Sequence, residues 1–109
     1  MIVNVCPAAM SSARPDRLWQ VITTPERFQD WQDARFVRAE PPGPVRAGQV
    51  IRLEARGYGR EWPVTIDVLG LDSNRRWIDL RVHLPLGMIN EEHVTLTESD
   101  QGGTLVRFN

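Results

Sequence analysis

The stretch Ile78-Asp79-Leu80-Arg81-Val82-His83-Leu84-Pro85-Leu86-Gly87-Met88-Ile89-Asn90-Glu91-Glu92-His93-Val94 has apolar side chains at every second position of its first arm and a Pro-Leu-Gly step in its middle. Alternation of that period belongs to a half-buried strand, and a return across the turn makes an antiparallel hairpin. Centring the hairpin near Leu86 sets Arg81 against Glu91 and Asp79 against His93 on one face. On the other face Ile78 then meets Val94 and Leu80 meets Glu92. The two complementary charge pairs select this register over a slip by one residue, which would turn the whole apolar row to water.

The same period continues upstream. Ile51, Leu53 and Ala55 alternate with Arg52, Glu54 and Arg56, and Gly57-Tyr58-Gly59 turns the chain. Trp62, Val64, Ile66 and Val68 then alternate with Pro63, Thr65 and Asp67, and Asp72-Ser73-Asn74 leads into a strand over residues 75–84. Downstream, a strand over 88–98 is followed by a turn at Ser99-Asp100-Gln101-Gly102-Gly103 and a last strand from Thr104. Ahead of this run, residues 2–10 form an edge strand and Ser11-Ser12 offers a helix start. Leu18, Trp19, Val21 and Ile22 cluster on one side of a helix opened by Pro15 and Asp16. Pro25 opens a second short helix with Thr24 as its N-cap, and Phe28 and Trp31 point inward at a spacing of three. Phe36-Val37 starts a strand that Pro41-Pro42-Gly43-Pro44 stops. Strand, two helices and six strands in a meander make an antiparallel α+β domain.

At 109 residues with 41% apolar side chains and a net charge of −1, the chain is one small domain spanning 1–109 with a single core. The 13 basic residues are all Arg, and no face-wide basic stretch offers the footprint of a nucleic-acid binder. Cys6 is the single cysteine, so no internal disulfide forms, and it reads as a buried structural thiol. Residues 1–5 lack a secretory pattern and no apolar run approaches the roughly 20 residues of a membrane span, which points to the cytoplasm.

Four features carry chemistry. Asn90 and Glu92 share parity with Val94 and so fall on the apolar face, where an unpaired carboxylate is costly and a water-filled cavity or an oriented ligand would justify it. His83 and His93 lie on the outer face, lack metal-ligand spacing, and read as solvated sheet histidines. Trp19, Trp31 and Trp62 fall on inner faces as core or cavity lining, while Trp77 lies outside and covers the sheet or meets a partner. Finally, residues 84–89 form a turn too apolar for an ordinary surface connection; it either tucks against the short helices or acts as a mobile gate over a cavity mouth.

The segment 14–31, with Pro15, Trp19, the Thr24-Pro25-Glu26 step and Trp31, resembles the opening of START-like proteins, the SRPBCC superfamily of polyketide cyclases/dehydrases and lipid-transport proteins. Val45-Arg46-Ala47-Gly48-Gln49, Glu92-His93-Val94-Thr95-Leu96 and Gly103-Thr104-Leu105-Val106 resemble later parts of the same family. The resemblance implies the helix-grip fold of birch-pollen-allergen-like proteins, a curved antiparallel sheet of about seven strands gripping a long C-terminal helix. Here the sequence ends at Asn109, where that helix would begin. The inner face is therefore expected to lie exposed or to be covered by a second copy, a homodimer closing the groove.

The leading expectation is that a small hydrophobic or aromatic molecule binds between sheet and helices without covalent chemistry or cofactor. Phe28, Trp31, Ile51, Leu53, Trp62, Val64, Ile66, Leu80 and Val82 would give apolar contact, and Asn90 and Glu92 would orient a polar end. One alternative is an aromatic-cyclase-type enzyme with Glu92 as acid or base. Another is a protein-interaction or co-chaperone-type module docking through the groove or the apolar turn.

Overall fold

The computed structural model describes residues 8–108. Its strands are β1 (Ala8–Ser11), β2 (Arg35–Glu40), β3 (Val50–Gly57), β4 (Arg60–Asp72), β5 (Trp77–His83), β6 (Ile89–Glu98) and β7 (Thr104–Phe108). They form one antiparallel sheet in the order β1-β7-β6-β5-β4-β3-β2. The helix α1 (Pro15–Ile22) and a 3₁₀ helix (Pro25–Asp30) lie between β1 and β2. Among the described residues β7 is the last element, and no long helix follows it.

The β5–β6 register is the one the charges select: Ile78 meets Val94, Asp79 meets His93, Leu80 meets Glu92 and Arg81 meets Glu91. Apolar rows then cross the sheet on one face. Ile51 pairs with Ile66 and Ile66 with Val82, Leu53 pairs with Val64, and Val68 pairs with Leu80. A bulge between Val68 and Gly70 leaves Leu69 as the extra, exposed residue. Beyond it Leu71 returns to the inner face opposite Ile78.

The helices close this face. Ile22 and Phe28 join Ile51, Leu53, Ile66, Ile78, Leu80 and Val94 in one buried cluster, with Leu18, Trp19 and Trp31 packed against it. Ile51, Ile66, Ile78, Leu80 and Val94 are 0% exposed. The expectation of an exposed inner face is thus corrected: within this chain, Ile22 of α1 and Phe28 of the 3₁₀ helix pack on the buried rows of the sheet.

Three local expectations also change. Ser11 belongs to β1, and its hydroxyl accepts from the Ala13 N–H at 3.1 Å, so the helix starts at Pro15 behind Arg14 without a side-chain cap. The second helix is 3₁₀, and the Thr24 hydroxyl caps nothing: it donates back to the Gln20 carbonyl at 2.6 Å. Residues 2–7 of the expected first strand, with the Cys6 thiol, lie outside the described residues.

Two buried polar side chains tie the connections down. Gln49, 0% exposed, donates through Nε2 to the Pro41 and Gly43 carbonyls at 2.9 and 3.1 Å, fixing the proline loop over the sheet. Thr104 donates to the Ala13 carbonyl at 2.7 Å, which holds β7 against the chain leaving β1. Beside it, a Cβ on Gly103 would stand 2.2 Å from the Ser11 carbonyl oxygen, and that neighbour is backbone. Gly103→Ala is therefore expected to lower stability by about 2 kcal/mol, the scale of an overpacked site. Urea denaturation checks it, and an unchanged midpoint would contradict the close β1–β7 approach.

Candidate functional site

Site residues expected from sequence fall into four groups. Phe28, Ile51, Leu53, Val64, Ile66, Leu80 and Val82 meet in the packed cluster, none more than 5% exposed. Trp31 is half-buried, with its ring 4.6 Å from that of Phe28 and 6.4 Å from that of Phe108, and its indole Nε1 is buried without a partner. Asn90 and Glu92 lie half-buried on the inner face of β6, where Asn90 Nδ2 donates to Glu92 Oε1 at 3.5 Å. Burial pushes the Glu92 carboxyl above the ordinary glutamate range, and a hydrogen bond from Gln32 opposes that shift.

Trp62 stands apart, at the far end of the inner face. A cleft of about 260 Å³ opens there between the β3–β4 turn and the β5–β6 connection, lined by Ala55, Tyr58, Trp62, Leu84, Leu86 and Met88 among others. The backbone explains its shape. Gly57 pairs with Arg60, so Tyr58-Gly59 is a two-residue turn, with φ of 53° and 73°. Positive φ at both positions is the geometry that matches strand twist in a hairpin, and it aims Tyr58 fully into solvent. Across the cleft Leu86 holds φ of 65° and is 89% exposed. A non-glycine residue in that region costs on the order of 1 kcal/mol. Trp62 forms the wall between them. Its Nε1 donates to the Gly57 carbonyl at 3.0 Å, which fixes the indole, and the Arg60 guanidinium carbon lies 4.1 Å above the ring.

A second, polar cleft of about 500 Å³ lies beside the 3₁₀ helix and is lined by Gln29, Asp33, Arg35, Glu54, Arg56 and Glu61, among others. Arg35 bridges to Glu54 at 2.6 Å. A hydrogen bond between the Glu54 and Glu61 carboxyls, together with Arg35, lowers Glu54, and the same hydrogen bond raises Glu61.

Both histidines are on the outer face as expected, but each is paired across to a neighbouring strand. His83 Nε2 meets Asp67 Oδ2 at 2.8 Å, and His93 Nδ1 contacts Asp79 Oδ1. Trp77 lies over this face, its ring 5.6 Å from His93 and against Gly70. Among the described residues no group of His, Cys, Asp and Glu side chains could hold a metal ion, and no helix is long and apolar enough to cross a membrane.

Alternation along β6 placed Glu92, and alternation along β4 placed Trp62 on the inner face. The sequence marked Trp62 and the apolar 84–89 turn separately, but not that the β3–β4 turn joins them in one cleft. The available clue was that Arg60 and Trp62 share parity at the end of a strand bounded by Gly57-Tyr58-Gly59.

Comparison with known proteins adds the fold's relatives. The crystal structure of Ara h 8.0201 matches with a TM-score of 0.72 at 18% identity, covering 95% of this chain and 72% of that one. An uncharacterized protein from Rhizobium leguminosarum matches at 0.66 and 15% identity, with the same coverage of 95% and 72%. A solution structure of a Cytophaga hutchinsonii protein matches at 0.60 and 14%, covering 100% of this chain and 79% of that one. At these identities they establish the helix-grip fold alone. Comparison with curated proteins gives no match. The family model described as Activator of Hsp90 ATPase homolog 1-like protein matches residues 12–109, nearly the whole chain, and the chain belongs to that family.

Proposed function

We propose that this protein binds a small apolar or aromatic molecule without covalent chemistry, at the open end of the inner face. The observation that carries this reading is the cleft at Trp62, apolar on nearly every side and bounded by two hairpin tips held in left-handed backbone conformations. Binding sites are concave and mostly apolar with few polar groups, and 260 Å³ suits a ligand somewhat smaller than a drug-sized molecule. Ala55 and Trp62, which line the cleft, pair across β3 and β4 next to the packed Leu53–Val64 pair, so the core holds this wall in place from behind.

The neutral probe 2-naphthylmethanol tests this. Its titration is expected to shift the Trp62 indole N–H resonance saturably. Trp62→Ala should weaken binding at least tenfold, since a stacked indole contributes on the order of 1–3 kcal/mol. Leu86→Ser, at a site too exposed to affect folding, should weaken it several-fold. A linear, unsaturable shift in the wild type would reject the reading.

Glu92 supports a second reading, an aromatic-cyclase-type acid. A general acid must keep its proton near neutral pH, and burial raises this carboxyl in that direction. The sign for stability follows. Glu92 binds its proton more tightly in the folded chain than in the unfolded one. Its contribution to stability is therefore full below the ordinary glutamate range and is lost as pH rises through the raised folded value. Glu92→Gln should remove that pH dependence and stabilise the protein at pH 7 by about 1 kcal/mol, the scale of an incompletely partnered buried polar group. Urea midpoints of both proteins between pH 4 and 8 measure it, and parallel curves would exclude an elevated Glu92.

A further inference from the structure

We infer that the molecule bound in the Trp62 cleft carries an anionic group, a carboxylate on an aromatic or short aliphatic body, and that Arg60 reads it. The inference rests on the ligand-binding reading of this cleft and adds the chemical class of the ligand.

Arg60 opens β4 and shares parity with Trp62, the residue that walls the cleft. Its guanidinium sits over the Trp62 ring at 4.1 Å. Among the described residues Arg60 makes no ion pair, whereas Arg35, Arg38, Arg52 and Arg81 each hold a carboxylate. A guanidinium stacked on an indole uses only its flat face. The N–H donors lie in its plane and stay open to a planar acceptor, and a carboxylate matches them with two parallel hydrogen bonds. Stacking also fixes the rotamer in advance, so less side-chain freedom is lost when an anion arrives.

The sign of the charge at this mouth is consistent. Arg56 lines the same cleft. The carboxylates in reach belong to the neighbouring polar cleft, where Glu54 and Glu61 hydrogen-bond each other and Arg56 acts on Glu61. The apolar body of the ligand would lie against Trp62, Leu84 and Met88, with its anionic end directed to Arg60. A wholly apolar ligand would leave Arg60 without a role, and a cationic one would be repelled by it.

Two probes of one shape separate the class from the site: 2-naphthoate and 2-naphthylmethanol, titrated by calorimetry and by the Trp62 indole N–H resonance. The wild type is expected to bind naphthoate about tenfold more tightly than the alcohol. Arg60→Gln, at an exposed position, should erase that preference while leaving the affinity for the alcohol within about twofold. Arg56→Gln should keep most of the preference. Equal affinity for both probes, unaltered in Arg60→Gln, would overturn the anionic class while the cleft stands as a ligand site. Failure of both probes to bind would overturn the ligand reading itself.

Discussion

The side chains of Ile51, Ile66 and Val82 line up across three neighbouring strands, and this row positions everything else. Burying each such side chain stabilises the fold by about 1.5–3 kcal/mol, and strand periodicity makes the row indivisible: a shift of one residue would expose all of it. With the row fixed, Leu53 and Val64 follow on one side and Val68 and Leu80 on the other. Ile22 and Phe28 then have an apolar surface to pack on, although α1 has only eight residues, too few to hold a helix alone in water.

Much of this was legible in the sequence because two independent constraints agreed. Apolar alternation gave the inner face of β4, β5 and β6, and the Arg81–Glu91 and Asp79–His93 pairs fixed the register of the hairpin. Legibility failed where a side chain had two uses. Ser11 and Thr24 look like helix caps, but a hydroxyl can equally serve a turn or donate backward to a carbonyl, and both do. The family resemblance alone points to a long helix as the cover of the inner face. Within the chain, Phe28 and Trp31, spaced to fold back over the sheet, bury its middle without one.

The same distinction separates the two kinds of inner-face residue. Those in the middle of the sheet have neighbours on every side and little freedom to meet anything else. Trp62, two residues from the strand end, is only partly buried, and the side chain over its ring is the Arg60 guanidinium rather than another core residue. The cleft lies there, at the end of the inner face away from the packed cluster. Glu92 lies between these cases, on the packed face but close enough to Asn90 and Gln32 to keep a partner.

At the opposite border of the sheet, β2 carries an irregularity: Phe36 pairs with Leu53 and Arg38 with Arg52, so Val37 has no opposite number. Arg35 and Arg38 flank it, each holding a carboxylate. An unpaired strand with an even backbone is a template on which other chains can add, and fibrils grow that way. The surplus residue breaks the spacing of hydrogen-bonding groups, and the guanidinium groups charge the rim. Along β2 the border of this sheet therefore offers an interrupted template, on which an incoming strand could pair only to one side of Val37 at a time.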